Sequence, residues 1–359
     1  MRAPIEGQES AVNAPFKPDT LSDADAFDAL AQAGFPDRAY LRRQWFESGP
    51  EPATRFVVAR GESGKPLAGF ALRPKVIGPD ALGLKVNEIA GPYWPFRGVP
   101  VDASVSPDEL ARAMSDKAII KTLGPAFRLG PAVRDHSATR LLSEAMTLAG
   151  WTVLTKPVGQ HFGVDLATKI ASGNWPSTRG QRKRRWHVRN MEKIAPVRTD
   201  YFTGTDWTDA TRDAMARIEA NSWLGTLEDG GDTKFRDPAL RTTWEDAAKH
   251  PALASMIRGS VFWIGEDPVA FTFGIDFGHA RLLIANNFDM NFKKESPGKV
   301  LIYDDFLKAA ERGIEWMDLG LGDAGYKSDM GAEEVGAFVD LMFVKSPLMA
   351  RALRPLWER

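Results

Sequence analysis

Ser296-Pro297-Gly298-Lys299 opens a run that reads as one amphipathic helix over 299–312, and it gathers the groups needed to hold an anion. Serine ahead of a first-position proline is a common helix start. Glycine in the first turn costs roughly 1 kcal/mol in helix propensity, so it asks for a reason; close approach of a ligand to the backbone is one. The first amides of a helix lack intrahelical acceptors and sit at the positive end of its dipole. With Lys299 beside them, they suit a phosphate or pyrophosphate. An ordinary capped helix is the other reading of the same residues.

Other stretches carry weaker chemistry. "GLGDAG", residues 320–325, matches G-x-G-x-x-G after a strand. A dinucleotide site would need a helix packed on the third glycine. Tyr326 to Gly331 read instead as a loop, and no βαβ unit follows, so a nicotinamide site is rejected. "TRGQRKRRWHVRN" sets Arg179, Arg182, Lys183, Arg184, Arg185 and Arg189 beside Trp186, a cluster that suits RNA, anionic lipid or a solvated helix face. The five histidines have no ligand spacing, so no metal is expected. No G-x-S-x-G elbow occurs.

Composition narrows the setting. The 359 residues suggest two domains, and an apolar share of 43% with 11 tryptophans supplies a substantial core. A net charge of -1 gives no global reason to expect a nucleic-acid binder. The absence of cysteine removes thiol nucleophiles and thiolate metal sites and fits a reducing compartment. The N-terminus carries no apolar run of a signal peptide, and no stretch approaches a membrane span. The expected location is cytoplasmic, with peripheral contact at the inner face of the membrane left open. The basic cluster favours such contact, as does the C-terminal "SPLMARALRPLWER", which sets Leu348, Met349, Leu353, Leu356 and Trp357 against arginines.

The elements that must position these residues follow from turn and period signals. Residues 1–20 read as a flexible tail, followed by helices near 23–33 and 37–48. "TRFVVARGESGKPLAGFAL" reads as strand, turn, strand, and "GSVFWIGEDPVAFTFGIDF" repeats that pattern. "SPDELARAMSDKAIIKTLG" reads as one helix stopped by Gly124, and "WTVLTKPVGQHFGVDL" as an extended pair. Residues 224–238 look like a mobile loop. Strands 280–288, 315–320 and 335–345 surround the helix at 299–312.

Taken together, Glu219, Ser222 and Trp223, then Ser296-Pro297-Gly298, then Asp318-Leu319-Gly320 with Gly322 and Tyr326-Lys327 resemble the cellulose-biosynthesis-type branch of the GCN5-related N-acetyltransferases (GNAT). That branch is similar to the Fem peptidyltransferases. The resemblance covers residues 160–345 well and the first half only by architecture. It implies an α+β fold of two tandem GNAT-like units, each a mixed, mostly antiparallel sheet flanked by helices. The expected division is a tail at 1–20, an N-terminal unit at 21–165 and a catalytic unit at 166–359.

By the same resemblance, Glu219 is the candidate base for an amine acceptor, and backbone around Ile284 and Asn287 faces the donor and its oxyanion. Ser296, Pro297, Gly298 and Lys299 hold the donor phosphates. Trp223 and Lys327 contact the acceptor, Lys327 through a phosphate or carboxylate. The family often has tyrosine in the strand before the proline–glycine turn, where this chain has Phe288 and Phe292, so Tyr326 becomes the candidate acid for the leaving thiolate. The expected reaction is N-acyl transfer from acyl-CoA, a co-substrate, to an amino lipid such as a sphingoid base or to an amino sugar of an envelope precursor. An aminoacyl-tRNA donor and a non-catalytic binding protein are the alternatives, with nucleic acid disfavoured by the charge.

Overall fold

The protein was analysed as a computed structural model, which describes residues 22–47, 49–78, 83–91, 93–173, 175–227, 233–323 and 325–358. The expected tail at 1–20 lies outside them. Eleven strands are found among these residues: β1 (Arg55–Arg60), β2 (Pro66–Ile77), β3 (Leu84–Ile89), β4 (Ala126–Val133), β5 (Thr152–Asp165), β6 (Val197–Thr203), β7 (Ile257–Ile264), β8 (Asp267–Phe277), β9 (Ala280–Phe288), β10 (Trp316–Leu321) and β11 (Glu333–Val344). They form one sheet in the order β1-β2-β3-β4-β11-β5-β10-β9-β8-β7-β6. Its pairs are antiparallel except β3 with β4 and β9 with β10. The fold is thus α+β, a large, mostly antiparallel sheet flanked by helices.

The repeat seen in sequence has a topological counterpart. An antiparallel β1-β2-β3 array ends on parallel β4, and β7-β8-β9 ends on parallel β10. Between the arrays run β5 and β11, paired with each other over almost their full length. "WTVLTKPVGQHFGVDL" is therefore one long strand and not a pair. Pro157 lies at a register shift opposite Val339, where a missing N–H is tolerated within a central strand.

Aromatic packing ties the halves together. Trp45 and Phe96 stack at 4.5 Å, and Trp244 lies against both and against Phe273 at 4.9 Å. All four are buried. The expected helix at 37–48 is a 3-10 turn, Pro36–Arg38, followed by a short helix, Gln44–Glu47. The helix read through 106–124 is two, because the Asp116 side chain accepts from Ala118 and Ile119 amides and starts a second helix, Lys117–Leu123. In the C-terminal helix, Pro347–Trp357, Met349, Leu353 and Trp357 pack on the sheet, while Leu348 and Leu356 are exposed. No helix among the described residues is long and apolar enough to cross a membrane.

Candidate active site

The parallel pair β9–β10 is held only at its start, through Ala280, Arg281 and Leu282 opposite Trp316, Met317 and Asp318. Beyond that point the two strands part, and each has an irregularity where they separate. On β9, Gly274 faces Leu283 and Phe273 faces Ala285, which leaves Ile284 as the extra residue of a bulge. Gly274 is required there, since a Cβ would come within 2.1 Å of the Leu282 carbonyl oxygen. On β10 the register to β5 shifts between Asp318 and Gly320. Gly320 has φ of 70°, and its missing Cβ leaves room for the Trp94 indole, which would otherwise lie 2.9 Å away. Asp318 pins this bend: its Oδ1 accepts from the Gly320 amide at 2.8 Å and lies 2.8 Å from buried His161 Nε2.

The gap opens into a cleft of about 510 Å³. Its walls include Ile284, Asn286, Asn287, Tyr326 and Lys327 from the second half, with Trp223 at the rim, 54% exposed. Tyr93, Trp94 and Arg97 from the first half and Phe338 of β11 close the other side. Asp323 shapes the turn that delivers Tyr326 and Lys327. Its Oδ1 accepts from the Gly325 and Lys327 amides at 2.7 and 3.2 Å, and its other oxygen accepts from the Ser328 hydroxyl. Burial pushes the Tyr326 phenol up to about 12, so it keeps its proton at neutral pH. Burial lowers Lys327 to about 8, against the opposing pull of Asp318 and Asp323. Lys327 Nζ donates to the Leu321 carbonyl at 2.9 Å.

A second, basic cleft of about 620 Å³ lies on the other side of the Tyr326 turn, between the arginine-rich helix, Thr178–Glu192, and the helix Pro297–Glu311. Arg179, Lys183, Arg184, His187, Lys169 and Lys299 line it, with Tyr303 and Phe306 as apolar wall. Arg184 is anchored by Asp304, and Lys299 Nζ donates to Asp329 at 2.7 Å. The Tyr303 hydroxyl is buried with no hydrogen-bond partner among the described residues, an orphaned donor on the cleft wall. Trp186 is not part of its wall and is 58% exposed.

The proline–glycine start differs in detail from the sequence reading. Ser296 sits in the left-handed region, φ 57°, and its side chain does not cap the helix. Gly298 is buried, with a Cβ position 3.0 Å from Phe288 Cδ1, so part of the reason for glycine is packing against the residue that stands where a tyrosine was expected.

Glu219 is not placed as a base would be. It is fully buried at the end of the helix Asp209–Asn221. Its Oε2 accepts from the amides of Lys234 at 3.0 Å, Phe235 at 2.8 Å and Arg236 at 2.9 Å, and its Oε1 from Lys234 at 2.9 Å. Burial raises its pKa above the ordinary carboxylate value, although the three amides pull the other way. The carboxylate thus clamps 234–236 against the core, and the end of the expected mobile loop, Thr233 to Phe235, is buried. Lys234, held by this clamp, is part of the first cleft's wall.

Sequence reading brought Ile284, Asn287, Trp223, Tyr326 and Lys327 to one cleft and Lys299 to the other. It missed Tyr93, Trp94, Arg97 and Phe338, which carry no motif. The one available signal was the density of aromatic and glycine residues in "GPYWPFRG".

Comparisons with known proteins agree with this architecture. Residues 181–328 match the family model "Acetyltransferase (GNAT) domain". No curated protein sequence matches the chain. Among solved structures, FemX is similar with a TM-score of 0.58 at 11% identity, over 93% of this chain and 98% of that one. A conserved protein of unknown function from Bacteroides thetaiotaomicron VPI-5482 has a TM-score of 0.54 at 16% identity, over 92% and 99%. The C-terminal domain (DUF2156) of a protein named as a lysylphosphatidylglycerol synthetase from Agrobacterium fabrum has 0.53 at 14%, over 93% and 94%. At these identities the likeness is one of fold. Residues 181–328 thus match a GNAT acetyltransferase domain, and the chain as a whole shares its fold with FemX.

Proposed function

We propose that the protein transfers an acyl group from a CoA thioester to the amine of an envelope precursor, with the β9–β10 gap as the reaction site. The observation that carries this reading is the parted strand pair, with a bulge at Ile284 and two titratable groups on its wall suited to opposite tasks. Lys327, near pH 8, takes the proton that the acceptor amine must lose before or during attack. Backbone N–H at the Ile284 bulge stabilises negative charge developing on the thioester oxygen. As the C–N bond forms and the C–S bond breaks, Tyr326 gives its proton to the departing sulfur. Lys327 thereby takes the role that the sequence assigned to Glu219.

The basic cleft suits the donor's phosphates. Arg179 and Lys183 supply charge, the helix start supplies its dipole, and Tyr303 has a free hydroxyl to offer. The thioester is the chemistry that CoA brings. The envelope assignment rests on the likeness to Fem-type transferases. That likeness and the arginine-rich helix also favour a second reading, an aminoacyl-tRNA donor in the same gap. Calorimetric titration separates the two. Acetyl-CoA or palmitoyl-CoA should bind the wild type, and Lys183→Glu should weaken binding by about tenfold or more, or 1.4 kcal/mol. No binding of either thioester, with binding of an aminoacylated RNA minihelix, would establish the second reading instead.

A further inference from the structure

We propose that the acceptor carries an acidic group beside its amine, a phosphate or a carboxylate, and that Arg97 of the first half holds it. This rests on the N-acyltransferase reading of the β9–β10 gap and names its acceptor class. Arg97 is half-buried on the wall of the cleft that Ile284, Tyr326 and Lys327 also line. It makes no ion pair among the described residues, and its Nε lies 3.4 Å from the Gly91 carbonyl oxygen, a weak bond. The nearby acids are already committed. Glu88 accepts from Arg73 Nε at 2.6 Å and from Arg128 Nη1 at 2.8 Å. Asp340 accepts from Arg128 at 2.8 and 2.6 Å.

A guanidinium taken out of water without a carboxylate is costly to keep. Burial, and then the charges of Arg128 and Arg73, oppose its protonated form and hold its pKa below the ordinary arginine value, against the opposing pull of Glu88 and Asp340. An anion that enters the cleft and pairs with Arg97 directly relieves the cost of that burial. The described lining of the cleft has Arg97 and no carboxylate. A free sphingoid base, whose only charge is its ammonium, is therefore a poor fit, and a phosphorylated or carboxylated amine is a good one. The placement also gives the first half a task at the reaction site: it recognises the acceptor while the second half performs the transfer.

Matched amines that differ only in the acidic group test this: glucosamine against glucosamine 6-phosphate, and sphingosine against sphingosine 1-phosphate, each titrated into the full chain by calorimetry. The phosphorylated member of at least one pair should bind about 30-fold or more tightly than its partner. Arg97→Gln should remove that preference, Arg97→Lys should restore part of it, and acetyl-CoA affinity should stay unchanged in both variants. Equal binding within both pairs, no binding by any of the four, or a preference that survives Arg97→Gln would overturn the proposal. The wild-type comparison decides even if a variant fails to fold. Failure of acetyl-CoA to bind while the phosphate preference stands would count against the donor reading alone.

Discussion

Replacing Glu219 separates two accounts of one carboxylate. If Glu219 were the base, Glu219→Gln would cut turnover by about 10²–10⁴ and leave stability alone. The structure leads to a different outcome. Glu219→Ala leaves the buried amides of Lys234, Phe235 and Arg236 without their acceptor, each a loss of about 1–3 kcal/mol. Removing a carboxylate whose pKa burial has raised returns part of that, so a net loss of about 2–4 kcal/mol is expected. Glutamine can keep its carbonyl oxygen where Oε2 stands, but it forfeits the charge on those bonds and sets its NH2 where Oε1 accepts from the Lys234 amide, a loss of about 1–2 kcal/mol. Urea unfolding followed by tryptophan fluorescence, beside turnover at pH 7 on fully folded protein, gives both quantities. The expected result is a lower midpoint for both variants, alanine below glutamine, with Glu219→Gln turnover within about tenfold of wild type. An unchanged midpoint with turnover down by about 10² or more would refute the clamp and restore the base.

Four further outcomes follow from the same geometry. Turnover should rise with pH through about 8, and Lys327→Met should lose that limb along with about 10²–10⁴ in rate. Between pH 8 and the unfolded lysine value near 10.5, the unfolded chain holds a proton that folded Lys327 does not, so the cost of burying its charge, full and constant below pH 8, is relieved as pH rises across that window; urea midpoints measured from pH 7 to 10.5 should show the slope in wild type and not in Lys327→Met. Tyr326→Phe should lower single-turnover rates about 10²-fold with acetyl-CoA affinity unchanged in calorimetry; unchanged rates would remove it from the reaction. Gly298→Val should cost about 1–3 kcal/mol in urea unfolding, because its side chain meets the Phe288 ring.

What the sequence made legible were the elements with strong local signals. The strand at 280–288, the helix after Pro297 and the paired strand-turn-strand units stand close to where turns and periodicity put them. The centre of the sheet was harder to read. β5 carries Lys156-Pro157 and Gly159, which look like a turn, yet a register shift absorbs the proline; β4 hides behind Gly130-Pro131 in the same way. Pairing of β11 with β4 joins residues more than 200 apart, which no local pattern records. The site divides along similar lines. The Tyr326-Lys327 turn and the proline–glycine start were visible as motifs. Side-chain direction was not: Glu219 turns inward because its three amides lie 15–17 residues ahead on the folded chain. Arg97 reaches the cleft only through packing of the first half on the second.

Release of free thiol from acyl-CoA tests the central claim most directly, and a chain with no cysteine gives that assay no protein background. Acetyl-CoA is supplied with glucosamine 6-phosphate and sphingosine 1-phosphate in turn, and thiol is followed alongside mass spectrometry of the amine. The account predicts thiol release that depends on the amine, matched mole for mole by N-acetylated product, and lost in Lys327→Met. No thiol release with either amine, together with transfer of the aminoacyl group from an RNA minihelix to the same amines, would contradict it.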